Sequence, residues 1–136
     1  MIVDTSALMC TVLRERGDDS IKAAMLDEDG LLPTPAYVEF LRVATGTRAA
    51  AGPRAEALLA LLLQGPIKLL PFTPEHARVA AGANARYGTG NGQGGPLNML
   101  DLMVYACAKV TGRPVLCTGR DFAATDVGIH PASRAD

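Results

Sequence analysis

Short apolar runs alternate along this chain with longer stretches of helical spacing, and that alternation leaves few folds open. The runs are Met1-Ile-Val3, Leu31-Leu-Pro-Thr34, Ile67-Lys-Leu-Leu70 and Pro114-Val-Leu-Cys117, with Val127-Gly-Ile129 read as a last edge strand. Each has the length of a strand and falls short of a helix. Helical patterns fill the gaps. One begins at Thr5, with Thr5 or Ser6 able to cap it, and others cover residues 18–29, 35–46, 54–64, 73–87 and 96–110. In the second, Ile21, Ala24 and Met25 fall on one inner face. Pro35 suits a first helical turn, with Thr34 as its cap. Residues 119–124 read as a turn or short helix. Strands that alternate with helices pair in parallel, because a crossover must return the chain to the same edge. The sequence therefore predicts one α/β domain over residues 1–130, a central, mostly parallel β-sheet flanked by α-helices. Residues 131–136 are expected to form a flexible tail.

Composition supports a packed core. Of 136 residues, 49% are hydrophobic and 20% charged, which excludes a disordered chain. Aromatics are only 4%, so Ala, Leu, Val and Met must build the interior. Cys10, Cys107 and Cys117 form no CxxC pair and sit among apolar neighbours, as expected of buried reduced thiols in the cytoplasm. No signal peptide or membrane span is read, because Asp4 interrupts the apolar start. The net charge of −1 neither favours nor excludes a polyanionic partner, since a local excess of one sign suffices for binding.

Function is signalled by acids standing alone in apolar surroundings. Asp4 is the single charge between Met1 and Leu13, Glu39 between Leu31 and Leu41, and Asp101 between Leu97 and Ala108. A buried, unpaired carboxylate costs several kcal/mol, so each needs a donor, a cation or a metal. In a parallel α/β sheet ligands bind beyond the carboxyl ends of the strands. Asp4 ends the first strand, Glu39 lies in the helix after the second, Asp121 follows the strand at Val115, and Asp101 lies near the start of its helix. All four can reach one cleft. Oxygen ligands without His or Cys suit Mg²⁺ or Mn²⁺. Each acid also has a plain structural role open to it: Asp4 as a helix cap, Asp101 in a capping box with Asn98, Asp121 in a turn, Glu39 paired with Arg42.

Taken in order, these blocks resemble the PIN-domain family, and within it the VapC toxins of toxin–antitoxin pairs. Met1-Ile-Val-Asp-Thr-Ser-Ala-Leu8 is similar to the family's opening, Tyr37-Val-Glu-Phe40 to its second acidic block, and Leu97-Asn-Met-Leu-Asp-Leu-Met-Val-Tyr-Ala106 to its third. Leu116-Cys-Thr-Gly-Arg-Asp-Phe122 with Thr125-Asp-Val127 is similar to the last. The chain departs from the family at Leu100, where Gly is usual, and in residues 88–95, which carry no basic residue. The resemblance implies a Mg²⁺-dependent endoribonuclease toxin with Asp4, Glu39, Asp101 and Asp121 as catalytic acids. Asp4, Asp101 and Asp121 would ligate Mg²⁺ (or Mn²⁺), Glu39 would orient water, and Ser6, Thr118 and Asp126 would support them from behind. It also implies an RNA substrate, a small cognate antitoxin lying across the cleft, and a homodimer through the early helices. Arg14, Arg16, Arg42, Arg86 and Arg120 are candidate phosphate contacts. An RNA-processing nuclease without an antitoxin, or a catalytically silent RNA- or partner-binding module, would share the same blocks. Retention of all four acids speaks against the silent module, because binding polyanions favours removing negative charge.

Other motifs carry less. Gly90-Asn-Gly-Gln-Gly-Gly95 fits a dinucleotide pattern but follows a helix, where the pattern requires a strand. His76 and His130 have no second His or Cys at ligand spacing and are expected on the surface. No Cys has a basic partner nearby to activate it. A phosphorylated Asp4 would want a second Asp at position 6, which is Ser.

Overall fold

The computed structural model describes residues 1–136. Its sheet has four strands, β1 (Ile2–Val3), β2 (Gly30–Pro33), β3 (Ile67–Leu70) and β4 (Val115–Leu116), in the order β3-β2-β1-β4. All neighbours are parallel. Six α-helices connect them: α1 (Thr5–Val12), α2 (Asp18–Asp27), α3 (Thr34–Thr45), α4 (Gly52–Gln64), α5 (Pro74–Tyr87) and α6 (Met99–Thr111). A 3₁₀ turn, Phe122–Ala124, follows β4. No helix is long and apolar enough to cross a membrane.

The central strands are apolar throughout because helices cover both faces. Ile2, Val3, Val115 and Leu116 have no exposed surface, and Phe40, Leu8, Ile21, Met25 and Leu62 close over them from the helices. At roughly 1.5–3 kcal/mol for each large side chain withdrawn from water, this core supplies the main driving force for folding. All three cysteines are free and buried within it.

Several local expectations are corrected. Val127-Gly-Ile129 is not a strand: only Ile129 pairs, in a single bridge to Val115. Beyond that bridge the Ser133 hydroxyl continues the edge, donating to Val115 O and accepting from Cys117 N. Within residues 131–136, expected as a loose tail, Ser133 bonds to β4 and Arg134 forms a bridge with Thr118. Thr34 is not a cap. It lies inside α3, Pro33 takes the N-cap position, and the Thr34 hydroxyl accepts from Phe72 N at 3.3 Å, pinning the exit from β3. The last long helix begins at Met99, three residues later than the sequence suggests, because Leu97 pairs with Gly88 and Asn98 caps. Both histidines are buried. His76 closes a capping box with Thr73 at the start of α5, and His130 Nε2 lies 2.8 Å from Glu28 Oε2.

Candidate active site

The chain runs outward from β1 to β2 and β3 on one side, then returns with β4 on the other. Such a reversal opens a crevice beyond the carboxyl ends of the two strands that flank it. Val3 is level with Leu116, and Asp4 N–H donates to Leu116 O at 3.0 Å, so Asp4 enters the crevice from its floor. Asp4 is also the N-cap of α1. The Ser6 N–H and hydroxyl donate to its Oδ2 at 3.0 and 2.6 Å, and the same hydroxyl accepts from Thr118 N at 3.0 Å. Ser6 therefore ties the ends of β1 and β4 together and aims the carboxylate. Asp4 Oδ1 has no protein partner.

Asp101 repeats this arrangement on α6. Its Oδ2 accepts from Asn98 N at 3.0 Å, while Asn98 Oδ1 accepts from Asp101 N at 2.8 Å. The capping box read from the sequence is present, and it leaves Oδ1 unused. Glu39 stands in the second turn of α3, half-buried, and makes no ion pair with Arg42. Asp121 precedes the 3₁₀ turn, exposed, with no side-chain hydrogen bond. Gly119 makes that loop possible: its φ of +86° is a conformation other residues rarely take.

Electrostatics joins the four. Burial pushes the Asp101 carboxyl up to about 6, and the charges of Asp4, Asp121 and Glu39 add to the rise against the opposing Asn98 hydrogen bond. Burial likewise raises Asp4, with the Ser6 bonds opposing and Glu39 adding. The Cys117 thiol, pushed to about 12 chiefly by burial, registers the same negative field from Asp4, Asp101 and Asp121. None of the four acids is paired with a cation; the ion pairs are Arg16–Asp136, Lys109–Asp126, His130–Glu28, Arg134–Glu15 and Arg134–Asp136.

Oxygen donors that crowd like charges without a basic partner fit a hard divalent cation. As the side chains stand, no three acids, histidines or cysteines are gathered closely enough to hold one ion jointly. Shared ligation of one ion would require rotation of the freer side chains, Asp121 and Glu39. Beside Glu39 lies a hollow of about 400 Å³ that includes Arg42, Met99 and Leu100. A larger one, about 570 Å³ between α5 and α6, is mostly apolar and contains none of the four acids.

Of the supporting residues, Ser6 bonds Asp4 directly, and the Thr118 backbone N–H donates to the Ser6 hydroxyl. Asp126 does not join them: it accepts from Tyr105 Oη at 2.7 Å and Lys109 Nζ at 3.0 Å on the side of α6. Among the arginines, Arg16 pairs with Asp136, Arg86 lies over the Tyr87 ring, and Arg120 donates to Ala135 O. Arg14 and Arg42 have no such partner. The Asn98-x-x-Asp101 spacing signals a capping box, and in the fold that box also orients Asp101.

Comparison with known proteins agrees with this geometry. The profile of the PIN domain matches residues 1–128. Ribonuclease VapC42 of Mycobacterium tuberculosis is 37% identical over 134 residues, covering 97% of this chain and 98% of its own. Ribonuclease VapC36 of the same organism is 36% identical over 130 residues, 93% and 91% of the two chains. Among solved structures, the M. tuberculosis toxin VapC20, described as cleaving the sarcin-ricin loop, superposes with a TM-score of 0.72 at 15% identity over 93% of this chain and 95% of its own. The VapBC2 complex of Rickettsia felis, bound to promoter DNA, gives 0.70 at 9% identity over 99% and 96%.

Proposed function

This chain belongs to the PIN-domain family, among its VapC ribonucleases, and on that premise we propose that it is a divalent-metal-dependent endoribonuclease toxin restrained by a small antitoxin. The observation that carries the reading is the unpaired acidic crevice, where burial and then three other acids raise the Asp101 carboxyl and none of the four has a cation beside it. With the Asp121 side chain turned inward, Asp4, Asp101 and Asp121 would hold Mg²⁺ or Mn²⁺. A bound ion of this kind lowers the pKa of water and neutralises charge on a phosphodiester. Asp4 and Asp101 each keep one oxygen fixed by hydrogen bonds and offer the other. Glu39 orients the attacking water and takes its proton. Arg42, unpaired in the hollow beside Glu39, contacts the RNA phosphates. Exposed RNA loops are the expected substrate, since their bases are unstacked and readable.

The partner reading draws on solved relatives that are toxin–antitoxin complexes, including one from Klebsiella pneumoniae. A homodimer is the expected assembly.

Purified protein, freed of any antitoxin, should cut RNA in Mg²⁺ and stop when a chelator is added. Asp4→Asn should lower turnover on the order of a hundredfold or more while the circular dichroism spectrum stays that of the wild type. Cleavage that survives chelation would sink the metal mechanism. An inert wild type would leave a binding module as the better account.

A further inference from the structure

The last residues do more than cover an edge. Arg134 N–H donates to Cys117 O at 3.1 Å, and Gly119 N–H donates to Arg134 O at 2.8 Å. These two bonds bracket Thr118 and fix the start of the loop that carries Asp121. The Arg134 side chain leaves in the opposite direction, toward the turn between α1 and α2. Its Nη1 donates to Arg16 O, its Nη2 lies 3.3 Å from Glu15 Oε2, and its Cδ passes 3.3 Å from where a Cβ on Gly17 would stand. Only about a fifth of that side chain is exposed. One residue thus spans two segments that the sequence separates by more than a hundred positions.

We propose that Arg134 is a positioning residue for the active site, holding the Thr118–Asp121 loop at the height from which Asp121 can complete the metal-binding set. This rests on the nuclease reading for the role of Asp121. Elsewhere the loop is held by Arg120, whose Nε donates to Ala135 O at 3.1 Å on the same terminal segment, and by buried Phe122 at its end. Thr118 N–H donates to Ser6, Gly119 is in a left-handed conformation, and Asp121 makes no side-chain bond. With the guanidinium removed, the backbone at position 134 loses its anchor on residues 15–17, and the loop gains freedom that ion binding must then take away. Residues that orient metal ligands from behind typically change affinity by about 10–100-fold when removed.

The test uses the full chain and Mn²⁺ alone as probe. In Arg134→Ala, amide exchange at Gly119, followed by NMR, should quicken about tenfold or more, while core amides such as Ile2 keep wild-type protection. Mn²⁺ affinity by titration calorimetry should fall about tenfold, and kcat on RNA should fall with KM unchanged. Arg134→Lys, which keeps a donor for the Arg16 carbonyl, should recover part of both. Glu15→Gln, a milder change that removes only the ion pair, should quicken Gly119 exchange by about two- to threefold and guards against an Arg134→Ala chain that does not fold. Unchanged Gly119 exchange and Mn²⁺ affinity in Arg134→Ala overturn the clamp alone. A wild-type chain that takes up no Mn²⁺ overturns the nuclease reading, and the metal-positioning role with it.

Discussion

Replacing Asp101 with Asn should make the metal-free protein more stable, and the gain should depend on pH. The Asp101 carboxyl ionises near 3.8 in an unstructured chain and near 6 in the fold. Because the folded value is higher, the native state binds more protons than the unfolded state between those limits. Stability therefore declines as pH rises through that window and stays reduced above it. At 1.36 kcal/mol per pH unit the whole difference is about 3 kcal/mol. The side chain is partly open to water, so about 1–2 kcal/mol should survive screening. Asn is neutral and close in shape, and its side-chain oxygen can still accept from Asn98 N–H. In EDTA at about pH 7.5, Asp101→Asn should thus gain about 1–2 kcal/mol, or roughly 4–8 °C in Tm for a chain of this size. At about pH 3, where the carboxyl is neutral in both states, the gain should vanish. Scanning calorimetry at the two pH values reads this directly. Adding Mg²⁺ at neutral pH should then stabilise the wild type and not the variant. A variant no more stable than wild type at neutral pH in EDTA, or equally favoured at both pH values, refutes the reasoning.

Ser6→Ala removes the donor to Asp4 and the acceptor for Thr118 N, so it should cost about 1–2 kcal/mol in urea unfolding and about tenfold in Mn²⁺ affinity. Asp126→Asn breaks the bonds to Tyr105 and Lys109 on the far side of α6; it should cost no more than about 1 kcal/mol and leave kcat on RNA at the wild-type value. Phe40→Ala empties a fully buried position and should lower unfolding free energy by about 3–5 kcal/mol, read from the shift of the urea midpoint.

What the sequence disclosed depended on how far each interaction reaches. The parallel sheet and its helices were legible because a buried strand and an amphipathic helix each write a local period. Asp4, Glu39 and Asp101 stood out for the same reason: a lone acid in an apolar run is a local anomaly. The errors fall where a partner is remote in the chain. Thr34 looks like a cap before Pro35, but its acceptor role is claimed by Phe72, 38 residues on. Val127 to Ile129 alternates like a strand, yet it pairs with β4 only at Val115, and past that point the Ser133 hydroxyl bonds Cys117 N, which no periodicity announces. His130 reads as a surface residue until Glu28, 102 residues earlier, is brought against it. Arg134, whose partners lie near the beginning of the chain, gives no sign in its own neighbourhood.

On the proposed nuclease function, the capping and metal-binding roles of the acids, which compete in the sequence, become one device. A helix start presents unsatisfied N–H groups and the positive end of its dipole, so it stabilises a carboxylate that would otherwise resist burial beside others. Asp4 at the start of α1 and Asp101 in the first turn of α6 each receive that support on Oδ2 alone. The bond also fixes the carboxylate plane, and the second oxygen is left without a side-chain or backbone donor in the hydrogen-bond network. Capping therefore performs the orientation that a ligand needs, at no cost in denticity. Glu39 and Asp121, which have no such bond, are the two acids free to move. The division suits a site that must keep a divalent ion in register while admitting water and a phosphodiester: two acids held rigid by helix starts, and two that adjust.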